Sequence, residues 1–449
     1  MFRKILIANR GEIAVRVIRT CKQMGIQTVA VFSEADRESL HVKLADESVC
    51  VGPASPAKSY LNASNIISAA LVSGADAIHP GYGFLAENKQ FAEICQSHHI
   101  TFIGPSVEAL GTLGDKAQAR ALAERLHLPV IPGSAILRSV AEGLKLAHAI
   151  GYPVMIKAAG GGGGKGMRLA FSAAELERNI PMAQAEAESA FGDDRIYLEK
   201  YLVEPRHIEV QILGDRFGNL VAVGERECSL QRQHQKIIEE APSPAVSPST
   251  RKKIQELAVK LGKGVRYVGA GTVEFLRDRD GKFYFIEANA RIQVEHPVTE
   301  MVSGLDLVRE QIRVSQGEKL SMKQDDIQIR GHAIECRVNA EDPETFEPCA
   351  GTLETLHWPG GLGVRVDSHV CQGDKIPPFY DSMVGKIITW GKDRKEALAR
   401  MRCAMDECRV EGIKTNLPLH RQLLRNSAVL EGSLHVVFVE NLLSEKVLV

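Results

Sequence analysis

The chain has almost no excess charge of either sign. Its 55 lysines and arginines face 56 aspartates and glutamates, for a formal net charge of −1 and a pI near 6.9. No global field would draw it to nucleic acid or to an anionic membrane, so any anionic ligand has to be held by local groups. Paired cysteine spacing is also missing. The nine cysteines are scattered, with no Cys-x-x-Cys, which argues against a zinc ribbon or a disulfide framework and fits reduced thiols in the cytoplasm. No apolar run nears the ~18 residues of a membrane helix. The opening segment MFRKILIANRGEIAVRVIR does not read as a signal peptide, because Asn9, Arg10 and Glu12 break its apolar stretch. Fixed-period repeats are absent, and so are low-complexity tracts apart from one glycine run.

What is present is a long, ordinary globular composition. The 449 residues are 44% apolar and 25% charged, enough for about three domains of ~150 residues with a core that needs no staples. Lys4 to Ala8 reads as a buried strand, and Glu12 to Met24 as a helix with Ile13, Val17 and Cys21 on one stripe. Gly25 stops that helix, and Thr28 to Phe32 is the next strand. A helix near 63–72, a strand at 75–78, a helix near 87–95 and a strand at 100–103 continue the alternation. This pattern predicts a doubly wound parallel sheet. The first turn offers only Gly11 and lacks Gly-x-Gly-x-x-Gly, which speaks against a nicotinamide role. A helix near 116–126 leads through Pro129, Pro132 and Gly133 into a unit ending near Leu202. Dense polar motifs fill 203–316, and the segment from about 330 to 449 begins β-rich and ends helical.

Residues 153–157 predict a strand ending in Lys157. Ala158, Ala159, five glycines at 160–164, Lys165 and Gly166 follow, with a return strand at 167–170. Successive glycines let backbone N–H groups close on a polyphosphate, and Lys157 and Lys165 add charge. A flexible linker is the other reading, but linkers usually have polar flanks and this run has apolar strands. The P-loop pattern fails at Ala159 and at Gly166.

Further on, 272–276 and 283–288 predict a hairpin around Asp278-Arg279-Asp280-Gly281. That pairing sets Glu274 nearly opposite Glu287, with Asn289 on the same face and apolar Leu276 and Phe285 further down it. Facing carboxylates repel unless a hard cation such as Mg²⁺ sits between them; a pair of acids pointing to solvent is the plainer alternative. Arg291, Gln293 and Glu295 continue the alternation. Three more polar groups occur: Glu199-Lys200-Tyr201-Leu202 with the His207 segment after it, Glu227 to Lys236, and Glu335 to Pro343 around Arg337. Singly, each reads equally well as a solvated face or a structural hydrogen bond.

Taken in order, the motifs resemble the ATP-grasp biotin carboxylases. The resemblance begins at Ile7-Ala-Asn-Arg-Gly-Glu-Ile13, includes His79-Pro-Gly-Tyr-Gly-Phe-Leu85, and runs to Pro377-Pro-Phe-Tyr-Asp-Ser-Met383. It implies an α/β fold: an N-terminal doubly wound domain over 1–113, an ATP-grasp domain over 114–330 with a mobile lid at 131–202, and a C-terminal α+β domain over 331–449. It implies a reaction in which ATP and bicarbonate form carboxyphosphate, whose CO₂ passes to N1 of biotin on a carrier protein. Lys116, Lys157, Gly163 and Gly164 would hold phosphates, and Glu199, Lys200, Tyr201 and Leu202 would line the adenine pocket. His207, Gln231 and His234 would complete the nucleotide site, and Glu274, Glu287 and Asn289 would hold Mg²⁺ or Mn²⁺. Arg291, Lys236, Gln293 and the Val294 backbone would position bicarbonate, with Glu295 as its base, kept ionised by nearby Arg291. Arg337 would stabilise the oxyanion of enolised biotin, beside Tyr82.

The same resemblance implies a homodimer with contacts at Arg19 and Arg365, although Gln23 and Leu362 replace the acidic and aromatic residues expected there. It implies a biotin carrier and carboxyltransferase subunits as partners. Met322-Lys323 lacks the Ala/Val-Met-Lys-Met context of a biotin attachment site, so a separate carboxylase subunit is expected, most simply of acetyl-CoA carboxylase. The alternatives are the same subunit in a pyruvate or other acyl-CoA carboxylase, a carbamoyl-phosphate synthetase fragment, and a catalytically silent ATP-binding regulator. Two copies of the grasp region would favour the synthetase and one is found; loss of Glu295 or Arg337 would favour the regulator, and both are retained.

Overall fold

Apolar strands alternating with one-sided helices can hide their surfaces only by layering, and the first hundred residues do so. The structure is a computed structural model and describes residues 1–160 and 167–447; Gly163, Gly164 and Lys165 of the glycine loop lie outside the described residues. The strands β1 (Lys4–Ile7), β2 (Gln27–Ser33), β3 (Glu47–Gly52), β4 (Ala77–His79) and β5 (Thr101–Phe102) form one parallel sheet in the order β3-β2-β1-β4-β5. The expected doubly wound sheet is therefore present, with strand ends shifted by a residue or two. The edge strand β3 is an addition; Val49 and Val51 turn to the core while Glu47, Ser48 and Cys50 are exposed.

Strand order reverses between β1 and β4, and that switch point opens a crevice at the strands' carboxyl ends. Asn9, just past β1, donates to the carbonyls of Pro80 (2.8 Å) and Tyr82 (2.7 Å) beyond β4. Gly81 has φ +64°, and a Cβ there would meet the Asn9 amide at 2.9 Å. Glycine and asparagine together thus fix where Tyr82 stands.

The next unit is antiparallel. β6 (Val154–Ala158) pairs with β7 (Arg168–Ala170) on one side and β8 (Ile196–Lys200) on the other. Helices Val140–Ile150 and Ala173–Phe191 cover it, and Ile156, Leu176, Ile180, Ile196 and Leu198 close a small core of its own.

The remaining chain builds an eight-stranded antiparallel sheet. β9 (Arg206–Gly214), β10 (Leu220–Arg232), β11 (Gln235–Ala241), β12 (Gly269–Arg277), β13 (Phe283–Asn289) and β14 (His332–Asn339) lie in the order β13-β12-β9-β10-β11-β14. Strands Met383–Gly391 and Val364–Ser368 continue it, so the sheet runs without a break past residue 330. Two expectations change here. The polar run Glu227 to Lys236 is a solvated face only at its turn, Gln233 to Gln235: Glu227, Ser229 and Gln231 lie on β10 in the middle of the sheet and are buried, as are Glu225 and Arg226 before them. The hairpin does pair Glu274 with Glu287, but Ile286 is an extra residue that breaks the register. Such a bulge puts the residues on its two sides out of phase, so that a side chain due on one face points to the other. Phe285 therefore leaves the carboxylate side and packs edge-on against Phe275, ring centroids 6.4 Å apart, inside the core.

Phe275 is 0% exposed, so Phe275→Ala should cost about 3–5 kcal/mol and lower the urea midpoint. Phe171→Ala, at a side chain 62% exposed, should stay within about 0.5 kcal/mol. Equal midpoints for the two variants would contradict this account of the core.

Candidate active site

One face of the large sheet gathers most of the predicted residues. Glu209 on β9 stands beside Glu274 on β12 and Arg226 on β10 in the strand register. Arg226 is fully buried, and its whole guanidinium is used. It pairs with Glu209 and donates to Gln211 (2.7 Å), Thr299 (3.0 Å), Thr272 (3.0 Å) and Gln293 (3.3 Å). A buried cation is tolerable only when saturated in this way. Neither Arg226 nor Glu209 stands out in the sequence as a site residue.

Lys236 enters this face through a distorted hairpin. Gln231 pairs with Lys236 and Leu230 with Ile238, leaving Ile237 as the extra residue that re-aims the lysine. The connecting turn, Gln233 and His234, has positive φ at both residues (48° and 64°), as a type I′ turn requires, and leaves His234 exposed. The Lys236 ammonium lies 2.7 Å from Glu209, 3.1 Å from Glu274 and 2.6 Å from Glu295. Burial works against its charge, but the three carboxylates outweigh burial and hold its pKa well above the ordinary lysine value. In return, Lys236 heads the charges that overcome burial and keep Glu274 and Glu295 below the carboxylate range, with His207 second for Glu274 and Arg337 second for Glu295.

Glu295 is the last residue before helix His296–Ser303. It faces Lys236 on one side and the Arg337 Nη2 (3.0 Å) on the other. The expectation that Arg291 keeps Glu295 ionised shifts accordingly: Lys236, Arg337 and Arg226 are the main cations. Arg291 instead donates to Glu87 (2.9 Å) and to Asn289 (3.0 Å). Gln293 donates to Glu274 (2.8 Å). Ile292, between Arg291 and Gln293, is 0% exposed and packs into the core of the N-terminal sheet, which holds its two polar neighbours over the large sheet. Lys386, fully buried, donates to the Val294 carbonyl (2.6 Å) and pairs with Glu12 (3.1 Å), whose carboxylate also accepts from the Tyr82 hydroxyl.

Residues predicted to hold nucleotide have partners within the chain. Lys116 pairs with Glu287 (2.9 Å), and Lys157 pairs with Glu199 (2.5 Å), which also meets Arg120 (3.0 Å). The Lys200 side chain turns away to the carbonyls of Gly151 and Tyr152, and its amide donates to Pro132. Tyr201 and Leu202 come next, half buried. His207 Nε2 is 2.9 Å from Glu274, and Nδ1 is 2.6 Å from the Gln231 amide.

The donor set for a cation fits. Glu274 and Glu287 are register partners, and Asn289 bridges to Glu274 at 2.8 Å. Two carboxylates and an amide beside Lys116 suit a hard divalent ion that shares phosphate oxygens. Among the described residues two other groupings are tight enough for a metal, His207–Glu209–Glu274 and Glu209–Cys228–Glu295, but Arg226 and Lys236 already balance Glu209. The buried Cys228 thiol is pushed well above its ordinary pKa by burial, which makes it unreactive. A cavity of about 550 Å³, lined by Glu87, Lys89, Gly111, Asp115 and Gly160, opens at the phosphate end. A larger one, about 670 Å³, lies away from this chemistry around Asp342, Arg409 and Arg421.

Comparison with known proteins agrees over the whole length. The family described as "Biotin carboxylase, N-terminal domain" matches residues 1–110. "Carbamoyl-phosphate synthase L chain, ATP binding domain" matches 115–323, and "Biotin carboxylase C-terminal domain" matches 335–441. A biotin carboxylase from Nostoc sp. is 54% identical over 98% of this chain and 99% of its own. A biotin carboxylase from Campylobacter jejuni, solved as a beta-gamma-ATP complex, superposes with a TM-score of 0.96 at 48% identity, covering 98% of this chain and 99% of the other. The biotin carboxylase domain of a Hydrogenobacter thermophilus 2-oxoglutarate carboxylase, solved as a dimer with MgADP, ADP and bicarbonate, gives 0.95 at 47% identity and 98% coverage of both.

The depressed carboxylates make a pH prediction. Their folded values lie below the unfolded ones, so their stabilisation is complete above about pH 4.3 and is lost as pH falls through the depressed values. Glu295→Gln removes one such group. At pH 3 the parent should have lost about 1–2 kcal/mol more than the variant, seen as a steeper acid-side fall in Tm. Parallel Tm–pH profiles would contradict the assignment of Glu295 as a buried, ion-paired carboxylate.

Proposed function

This chain belongs to the biotin carboxylase family, and on that premise we propose how its own residues divide the work. It is an ATP-dependent ligase that carboxylates biotin with bicarbonate. The observation that carries the residue assignment is Glu295, a buried carboxylate set between the ammonium of Lys236 and the guanidinium of Arg337.

Lys116 and Lys157, with Gly163 and Gly164, hold the ATP phosphates, and Glu199 to Leu202 with His207, Gln231 and His234 frame the rest of the nucleotide. Glu274, Glu287 and Asn289 would hold Mg²⁺ (or Mn²⁺), which would supply positive charge against the phosphates. Lys236, Arg291, Gln293 and the Val294 backbone orient bicarbonate. Glu295 takes the bicarbonate proton as the bicarbonate oxygen bonds to the γ-phosphorus and ADP leaves, giving carboxyphosphate. Its carbon–oxygen bond then breaks to CO₂ and phosphate. The released phosphate takes the proton from biotin N1, and N1 bonds to the CO₂ while Arg337 stabilises the negative ureido oxygen, with Tyr82 beside the ring. The carboxylate pairs seen in the site support this reading, because each cation that would meet an anionic substrate is now neutralised by a carboxylate at 2.5–3.1 Å.

Residues 1–113, 114–330 and 331–449 serve as the N-terminal, ATP-grasp and C-terminal domains. The unit at 131–202 is the lid, supported by its separate core; closure would keep water from carboxyphosphate. Biotin arrives on a carrier protein, and carboxyltransferase subunits use the product, most simply as acetyl-CoA carboxylase in fatty acid biosynthesis. A keto-acid carboxylase is the second reading, favoured by the similarity to the 2-oxoglutarate carboxylase domain. A homodimer is expected, with Arg19 exposed for contact. Arg365 is already paired within the chain to Glu300 (2.7 Å) and Asp367 (2.7 Å), so its share in the interface is through the faces of those pairs.

The purified chain should hydrolyse ATP faster when bicarbonate and free biotin are both present, and carboxybiotin should form. No stimulation by biotin and no carboxybiotin would sink the function. Glu295→Gln should lower biotin carboxylation by about 10²–10⁴-fold and Arg337→Ala by about 10²–10³-fold, while calorimetry still detects nucleotide binding. Either variant turning over normally would remove that residue from its role.

A further inference from the structure

Glu239 has no task in that division of labour, yet it makes the shortest contacts to Arg337. Its strand β11 pairs with β14 so that Glu239 lies opposite Glu335. Arg337, two residues on from Glu335, projects from the same face of the sheet. Glu239 is 0% exposed. One of its oxygens accepts from the Arg337 Nε at 2.6 Å and lies 2.5 Å from Nη2, and the other oxygen is buried without a partner. Arg337 is thus held from two sides, by Glu239 through Nε and Nη2 and by Glu295 through Nη2 alone.

The two carboxylates cannot play the same part. In the reading above, on which this inference rests, Glu295 accepts the bicarbonate proton and so stops attracting Arg337 just before the biotin step. A buried guanidinium with one partner gone either drifts or is held by the other. Only Glu239 is placed to hold it, because Glu335 has both oxygens buried without a hydrogen-bond partner and burial keeps it protonated well above the carboxylate range. Glu239 is responsive as well. Burial raises its pKa to about 7; Arg337 opposes the rise, and the charge of Glu295 adds to it. When Glu295 becomes neutral that repulsion goes, and Glu239 ionises more firmly as Arg337 comes to depend on it. Contact through Nε and Nη2 also leaves Nη1 without a hydrogen-bond partner among the described residues.

We propose that Glu239 is a positioning residue for the biotin step, the fixed partner that keeps Arg337 aimed while Glu295 releases it. It touches neither substrate; it acts through Arg337.

The test is Glu239→Gln, which keeps shape and removes charge. Losing a hydrogen bond to a charged group predicts a fall of about 10–100-fold in biotin-dependent kcat. The KM for ATP and ATP turnover with bicarbonate alone should change by about twofold at most. In an Arg337→Ala background the same substitution should add almost nothing, because its route to the reaction has gone. Equal losses with and without biotin, or a full further loss in the Arg337→Ala background, would overturn the proposal, as would a parent-like rate. Glu239→Asp, which keeps the charge at a shorter reach, should show the same pattern with a smaller loss, and it replaces the glutamine variant if that one does not fold. A parent chain that makes no carboxybiotin overturns the functional reading itself; a parent that makes it, beside an unaffected Glu239→Gln, overturns only the role of Glu239.

Discussion

The architecture depends on charge balance at one water-poor face of a sheet. Glu209, Glu239, Glu274, Glu295 and Arg226 are buried there, with Lys236 and Arg337 partly buried beside them. Each ion taken from water costs several kcal/mol unless its partners are close and its hydrogen bonds complete. The sheet meets that condition by drawing six of these seven charges from five strands whose registers fix their spacing, with Glu295 at the start of a helix beside them. The bulges at Ile237 and Ile286 set which side chains join that face. Little net stability is gained from such a cluster. What is gained, on the roles proposed above, is a site whose cations could exchange carboxylate partners for anionic substrates without rebuilding the backbone.

The same face explains how distant segments are brought to one place. Ile292 is buried in the N-terminal core while its neighbours Arg291 and Gln293 face the large sheet. Lys386 reaches from the C-terminal segment to the Val294 carbonyl and to Glu12, and Glu12 in turn takes the Tyr82 hydroxyl. Residues 12, 82, 294 and 386 are thereby one hydrogen-bonded and ion-paired unit. Asn9 at the topological switch point supplies the other restraint on Tyr82.

Much of this was legible in the sequence, for identifiable reasons. The parallel sheet followed from buried strands alternating with one-sided helices, except β3, a half-exposed edge strand in which only Val49 and Val51 mark the inward face. The opposition of Glu274 and Glu287 followed from the Asp278–Gly281 turn, because a tight turn dictates register. The bulge at Ile286 did not, since an extra residue leaves no mark on composition. Arg226 was hidden in Glu225-Arg226-Glu227, which resembles a solvated charge run until its strand is seen in mid-sheet. Glu239 and Glu87 were invisible because their partners lie 98 and 204 residues away, and only the folded sheet brings them together. The resemblance supplied the catalytic roles; the geometry shows which carboxylate each cation presently holds.

The small core of the three-stranded unit has one further consequence. Ile156, Leu176, Ile180, Ile196 and Leu198 pack on one another and not into the large sheet, while the unit meets helix Lys116–Arg125 through Arg120, which pairs with Glu199 and donates to the Ile131 carbonyl. Such a body opens as a cooperative unit of its own, with a free energy below that of global unfolding. Its amides would therefore exchange with solvent hydrogen as a set, earlier than those of β9 to β12. Bound nucleotide, which adds contacts across the seam, would slow that set selectively. In the role proposed for residues 131–202, the unit that closes as a lid is thus also one whose local stability is set by its substrate.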